Sequence, residues 1–291
     1  MDALGCALFP ASCALCDSPL PHLSSVPICD ACWMEIPIQS GSLCVRCGDS
    51  LDAPAADLKN EGLCRTCRLA PPPFKRAVAY GPYEQRMKDA IHALKYNGLR
   101  PASRGLGNLL AEAIAQLANE APAEMLVIPV PLHGSKQADR GFNQARLLAA
   151  HALESLRKSN PAWRLTLAPD ALMRLRATGS QAGLTPRQRR LNVRGAFQVT
   201  DPAVVDGRHV LVVDDILTTG ATARAAAQAL IKAGAETVWV ATLARARRTS
   251  PIRHGVFATQ DDAVDNHASP GTPPASLLQP ASMYSQDLPS F

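Results

Sequence analysis

Eight cysteines set out as four Cys-x-x-Cys pairs constrain this chain more than any other feature. Cys13/Cys16, Cys29/Cys32, Cys44/Cys47 and Cys64/Cys67 all fall within 55 residues. Two thiolates at a tight turn chelate one tetrahedral metal, and two such pairs complete a shell of four sulfurs. Twelve residues separate the first two pairs and sixteen the last two. The pattern predicts two structural Zn2+ sites, formed either by successive pairs or by interleaved ones. Gly48 directly follows Cys47 and suits the sharp turn of such a knuckle. A redox Cys-x-x-Cys normally stands once, on a thioredoxin-like βαβ unit, so four copies argue against that use. Closed all-cysteine sites are structural, and no chemistry is expected of this module. The ninth cysteine, Cys6, stands alone and is read as a buried or free thiol.

Compartment and charge bear on the same question. Met1 to Cys13 carries no Lys or Arg, which argues against a secretory signal, and Leu4-Gly5-Cys6 follows too few residues for a lipoprotein signal. A cytoplasmic location is expected, where disulfides are disfavoured and thiols remain free for metal. No apolar run approaches the ~18 residues needed to span a bilayer. The formal charge is +5, but one basic and four acidic residues follow Thr249, leaving +8 on residues 1–248. That balance favours acidic ligands such as phosphates or nucleic acid.

Ala53 to Gly62 reads as a polar loop within the second cysteine group, and Ala70-Pro71-Pro72-Pro73 as a stiff connector. The chain is accordingly divided into a zinc module over 1–72, a second domain over 73–246 and a tail over 247–291. The tail is rich in Pro, Ser, Asp and Ala, with little periodicity, and is expected to be disordered. In the second domain Arg76 to Tyr80 reads as a strand. Met87, Ile91 and Leu94 mark a helix ending at Asn97-Gly98, and Leu106, Leu110, Ile114 and Leu117 mark another. Met125 to Ile128 and Val210 to Val213 are unbroken apolar runs, as expected of strands buried on both faces. Helices over Phe142–Leu156 and Thr219–Lys232 and a strand over Thr237–Leu243 complete the alternation. Strands separated by helices imply an α/β fold with a parallel sheet.

In such sheets ligands lie beyond the carboxyl ends of the strands. There the sequence runs Val213-Asp214-Asp215-Ile216-Leu217-Thr218-Thr219-Gly220-Ala221-Thr222. Paired carboxylates at a strand end can accept hydrogen bonds from the vicinal hydroxyls of a ribose. The amides of Thr218, Thr219, Gly220, Ala221 and Thr222, opening a helix, can converge on its 5′-phosphate. A Walker B acid would need a Gly-x-x-x-x-Gly-Lys-Ser/Thr partner, and no such segment exists in the chain.

Asp214 to Thr222 resembles the phosphoribosyl-pyrophosphate signature of the type I phosphoribosyltransferases. Residues 8–245 are similar to the ComF family, which joins an N-terminal zinc ribbon to a phosphoribosyltransferase-like domain. The resemblance is carried by Leu8-Phe9-Pro10, Ile91-His92-Ala93-Leu94-Lys95-Tyr96, Val130-Pro131-Leu132-His133 and Arg140-Gly141-Phe142-Asn143-Gln144. It extends through Thr178-x-x-Gln181-x-x-Leu184 and Arg190-x-Asn192-Val193-x-x-Ala196-Phe197. It implies a type I phosphoribosyltransferase-like parallel sheet and a role in natural competence and DNA uptake. A ligand such as phosphoribosyl pyrophosphate or ribose 5-phosphate, held with Mg2+, is implied as well. The true amidotransferase has an N-terminal cysteine nucleophile, whereas Asp2 follows Met1 here, so glutamine-dependent amination is not expected.

From Arg174 to Arg194 there are six arginines and no acidic residue. The family resemblance implies a flexible loop here, able to close over pyrophosphate; a surface for single-stranded DNA is the competing reading. Arg140 is a candidate pyrophosphate contact, with Lys95, His133 and Lys136 as weaker ones. Two functions stand side by side. One is transfer of a phosphoribosyl group to an unidentified nucleophile, with Asp214, Asp215 and Arg140 as candidate catalytic residues. The other is a non-enzymatic ligand-binding or scaffolding role beside the DNA-uptake machinery and its helicase.

Overall fold

The computed structural model describes residues 11–21, 26–51, 62–176, 188 and 193–247. The two cysteine groups repeat one design. Ser12 bridges to Pro19 and Leu43 to Ser50, each closing a short antiparallel turn around a Cys-x-x-Cys pair. In each turn the residue after the second cysteine, Asp17 or Gly48, adopts a positive φ and donates its N–H to the carbonyl of Cys13 or Cys44. Cys29 and Cys64 then precede one-turn helices, α1 (Asp30–Met34) and α2 (Arg65–Leu69), which carry Cys32 and Cys67 inward.

Successive pairs therefore share a site. Cys13, Cys16, Cys29 and Cys32 form one cluster and Cys44, Cys47, Cys64 and Cys67 the other. The Sγ atoms of Cys13 and Cys32 lie 3.8 Å apart, and those of Cys16/Cys29 and Cys47/Cys64 3.7 Å. Four sulfurs about 2.3 Å from a tetrahedral zinc stand about 3.8 Å from one another, so the clusters fit that ion. Backbone amides aim at the sulfurs: Cys29 N–H at Cys13 Sγ (3.4 Å) and Cys64 N–H at Cys44 Sγ (3.2 Å). Such donors favour the thiolate that a metal requires.

The rest of the described chain builds one parallel sheet. Its elements run β1 (Ala77–Pro82), α3 (Gln85–Tyr96), α4 (Ala102–Ala115), β2 (Glu124–Pro129), α5 (Gly134–Arg140), α6 (Gln144–Ser159) and β3 (Arg164–Leu167). They continue with β4 (Leu172–Arg174), β5 (Phe197–Val199), α7 (Pro202–Val205), β6 (His209–Leu217), α8 (Ala221–Lys232) and β7 (Thr237–Arg245). Strand order is β1-β7-β6-β2-β3, every pairing parallel, while β4 and β5 form a separate antiparallel pair. Helix α6 starts where Asn143 Oδ1 accepts from the amides of Ala145 and Arg146. Helix α3 stops at Asn97-Gly98, as its sequence predicts.

Strand β6 shows why unbroken apolar runs were needed. Leu211 and Val213 join a core with Met87, Ile91 and Leu94 of α3 and Leu106 and Leu110 of α4. Val210 and Val212 join the opposite core with Ala226 and Leu230 of α8. The sheet is buried on both faces.

The zinc module is seated on the free edge of this sheet. Ala77 N–H donates to Arg46 O (2.9 Å) and Gln39 N–H to Tyr80 O (2.8 Å), so edge strand β1 is partnered. A side chain at Gly81 would place its Cβ 1.9 Å from Pro37 O, and only glycine admits that approach. Ile28, Cys32 and Ile36 of the first ribbon belong to the core on the α3 side. Cys44, Cys47 and Cys67 of the second belong to the core on the α8 side. The two ribbons thus straddle β1.

Three features escape sequence patterning. Strand β3, Arg164-Leu-Thr-Leu, is an edge strand whose residues alternate between exposed and half-buried, so it lacks the apolar run that marks β2 and β6. Strands β4 and β5 are three residues each and are paired across residues 175–196. Helix α5 buries no residue and has no hydrophobic stripe to detect. Cys6, the 53–61 part of the polar loop, most of the basic 174–194 stretch and the residues from 248 onward lie outside the described residues.

Purified protein is expected to hold two zinc ions per chain. Cys13→Ser and Cys64→Ser should each lower the content to about one ion, since a shell of three thiolates holds zinc poorly. Elemental analysis of freshly purified protein checks this, and less than one zinc per wild-type chain would refute the assignment.

Candidate functional site

Strand β6 runs four residues further than its apolar stretch predicts, ending at Leu217. Asp214 and Asp215 therefore lie inside the strand, with Asp214 in register with Thr242 of β7, and not at its end. The extension matters because successive strand residues face opposite sides of a sheet. Asp215 shares the α3 side with Leu211 and Val213. There Lys95 Nζ, from the last turn of α3, lies 2.7 Å from its Oδ2, and only 15% and 6% of the two side chains are exposed. Asp214 is half-buried, and its Oδ1 accepts from the Asp215 amide at 2.9 Å. Arg174 of β4 bears on Asp214 from the β4–β5 side.

The two acids do not form one symmetrical fork. Asp215 is neutralised by a buried lysine, and Asp214 keeps the accessible surface. Burial and the adjacent Asp215 carboxylate push the Asp214 carboxyl up to about 7, against the pull of Lys95 and Arg174. Burial works against the Lys95 ammonium, but the two carboxylates outweigh it and raise its pKa.

Further cations gather at this end of the sheet. Lys136 of α5 is pushed down by partial burial and by its neighbours Arg174, Arg140 and Lys95. The Arg140 guanidinium stands 5.3 Å from the Tyr96 ring centroid and donates to Gln144 Oε1 at 2.5 Å. Four cations from α3, α5 and β4 thus gather at the strand tips, and two of them, Lys95 and Arg174, bear directly on Asp214. His133 is a helix cap, its Nδ1 accepting from the Ser135 amide at 3.3 Å, and that engagement disfavours a proton-transfer role. A recess lined by Glu35, Gln85, Arg86 and Asp89 shares no residue with this site. Its charges satisfy one another, with Arg86 Nε 2.8 Å from Glu35 Oε2.

Beyond β6, Thr218 and Thr219 lead to Gly220 (φ 74°), the N-cap of α8. Thr219 Oγ1 accepts from the Ala221 amide at 3.3 Å, tightening the turn. A Cβ at Gly220 would meet only Leu217 Cδ1, at 3.8 Å. The protein leaves room there, so crowding within the chain does not explain the glycine. Its left-handed backbone does. The positive end of the twelve-residue α8 faces the same opening.

The sequence singled out the 214–222 motif and Arg140. It ranked Lys95 and Lys136 as weak candidates and gave Arg174 no role apart from the basic stretch. Position 95 lies 120 residues before 215, and nothing local marks the pair, although Lys95 ends an apolar-striped helix where a side chain can reach the strand tips.

Known proteins resemble the chain in both parts. The Double zinc ribbon domain family matches residues 5–68 and the Phosphoribosyl transferase domain family residues 171–272. The DNA utilization protein YhgH of Salmonella typhi is 34% identical over 241 residues, covering 81% of this chain and 97% of that protein. Competence protein F of Haemophilus influenzae is 30% identical over 77% of this chain and 93% of that protein. The chain belongs to the ComF family. Among solved structures, the glutamine phosphoribosylpyrophosphate amidotransferase of B. subtilis overlaps at a TM-score of 0.28 and 24% identity. That overlap covers 49% of this chain and 26% of that one. In this ComF-family chain the ribbon match spans both cysteine clusters and the transferase match spans β6, Asp214, Asp215 and the Thr218–Thr222 loop. Among the described residues no helix is long and apolar enough to cross a membrane.

The raised Asp214 pKa has a consequence for stability. A carboxyl whose pKa rises on folding favours the folded state below its ordinary value of 3.8 and loses that contribution as pH climbs through about 7. Asp214→Asn removes the penalty of the buried charge. At pH 8 the variant should melt above wild type by roughly 2–4 °C per kcal/mol relieved, and the gap should close toward pH 5. Thermal unfolding across that range checks the sign; a variant less stable at pH 8 than wild type would contradict it.

Proposed function

We propose that this ComF-family protein binds phosphoribosyl pyrophosphate, or a related ribose 5-phosphate ligand, at the β6–α8 junction, and that it serves in the handling of DNA during uptake. The observation that carries this reading is the half-buried Asp214 with Lys95 and Arg174 bearing on it and Lys136 and Arg140 clustered with those cations. An acid kept beside so many cations suits a ligand that brings both hydroxyl donors and phosphate charge.

On this reading the Thr218–Thr222 amides and the positive end of α8 hold the 5′-phosphate. Asp214 accepts from a ribose hydroxyl, and Lys136 and Arg140 screen the pyrophosphate. Lys95 holds Asp215 and is unavailable to the ligand. Mg2+ bound with the pyrophosphate would supply further positive charge, which Asp214 would help to hold. The names of the relatives, DNA utilization protein and competence protein, favour DNA as the macromolecular partner. The +8 charge on residues 1–248 and the arginines from 174 to 194 favour single-stranded DNA, and a competence helicase as a fellow component.

Calorimetry with phosphoribosyl pyrophosphate, ribose 5-phosphate and nucleoside 5′-monophosphates, each with Mg2+, tests the site. Asp214→Asn should lower affinity on the order of 10- to 100-fold, since hydrogen bonds to a charged acceptor contribute roughly 1.5–3 kcal/mol. Gly220→Val should abolish binding through the left-handed backbone and the lost space. Asp215→Asn should instead destabilise the fold by about 3–5 kcal/mol, because it strands a buried lysine. Absence of binding by wild type at millimolar ligand would overturn the reading. Donor turnover with a panel of acceptors then separates group transfer from binding alone.

A further inference from the structure

The last residue of β7, Arg245, is 1% exposed, and its guanidinium joins two parts of the molecule that sequence places far apart. Its Nε donates to Cys47 O at 3.2 Å, and its Nη2 lies 3.1 Å from Oδ2 of Asp49, itself 6% exposed. Its Nη1 donates to Leu217 O at 2.8 Å, to Thr218 O and to Ala246 O at 2.7 Å. One side of the buried cation is therefore the second cysteine knuckle, and the other is the start of the candidate phosphate loop. A second arginine repeats the link. Arg224, in the first turns of α8, donates from Nη2 to Ala70 O at 2.6 Å and from Nη1 to Pro71 O at 3.1 Å. These carbonyls follow directly on α2, whose first turn carries Cys67. The segment from 217 to 224 is thus fastened to the second ribbon at both ends.

A buried guanidinium is costly to desolvate and is tolerated only where its donors are met. Here Nε and Nη1 are met by four carbonyls, and Nη2 stands in an ion pair with Asp49 without a hydrogen bond; Asp49 and Cys47 O both belong to the turn that carries Cys44 and Cys47. That turn is held in place by the metal that its thiolates share with Cys64 and Cys67. The first cluster's ribbon packs instead in the core on the α3 side, where Arg86 Nη1 donates to Leu15 O at 3.1 Å.

We infer that the second metal centre sets the geometry of the Thr218–Thr222 loop, with Arg245 and Arg224 as the positioning residues that couple them. Loss of that metal frees the Cys44–Cys47 turn, withdraws the partners of Arg245 and loosens the loop; loss of the first metal does not. The consequence for ligand affinity rests on the phosphate-site reading proposed above, whereas the mechanical link does not. By linkage, a ligand whose affinity depends on the second metal raises the affinity for that metal by the same factor.

Amide hydrogen exchange on the full chain tests the coupling without any ligand. Cys64→Ser should speed exchange across residues 217–224 by about 5- to 150-fold, the range of typical couplings, and Cys13→Ser should leave it unchanged. Asp49→Asn, confirmed by metal analysis to retain both zinc ions, should speed exchange in the same segment. This variant decides the matter if Cys64→Ser does not fold. Equal acceleration by Cys13→Ser, or unaltered exchange in Asp49→Asn, would overturn the inference. Failure of wild type to bind phosphoribosyl pyrophosphate, ribose 5-phosphate or a nucleoside 5′-monophosphate in calorimetry would overturn the ligand reading and leave the exchange result standing.

Discussion

The requirement that four thiolates sit about 3.8 Å apart around one metal governs the N-terminal quarter of this protein. Each cluster draws a Cys-x-x-Cys turn and a one-turn helix into contact, and without it those short segments have almost no core of their own. The ribbons so fixed then supply what the sheet lacks. They satisfy the free edge of β1, add apolar surface to both cores and place Asp49 under Arg245. A small metal module therefore acts as the end wall of the α/β domain.

The candidate site is a product of three constraints meeting at the strand tips. Strand β6 must be apolar on both faces to lie inside the sheet, yet it continues into two acids. The inner acid is tolerable because Lys95 arrives from α3, and the outer one because Lys95 and Arg174 bear on it. The loop that follows takes its shape from Gly220 and from carbonyls tied to Arg245. The loop is hydrogen-bonded to the ribbon on one side, and the cations gather on the other, by the β4–β5 pair that flanks the basic 175–196 segment.

Much of this was legible in the sequence. Local signals such as the cysteine spacing, the apolar runs at Met125 and Val210 and the Asn97-Gly98 stop were sufficient because each reflects chemistry within a few residues. Whether cysteine pairs join in succession or interleave is set by the fold of the turns, and spacing left it open. The roles of Asp214 and Asp215 depended on how far β6 extends, which its register with β7 decides. Contacts such as Lys95–Asp215 and Arg245–Asp49 join residues more than a hundred positions apart, and single charged residues in helices and strands carry no periodic mark. Arg245 in particular looks like one more arginine after an apolar strand, although it is among the most buried side chains in the molecule.

The central claim is that the end of β6 and the start of α8 form a seat for a phosphorylated ribose. A crystal structure of the wild-type chain grown with phosphoribosyl pyrophosphate and Mg2+ tests it most directly. The account predicts the 5′-phosphate against the amides of Thr218 to Thr222, a ribose hydroxyl on Asp214, and Lys95 still paired with Asp215. Ligand bound elsewhere, or a loop left empty at saturating concentration, would contradict it.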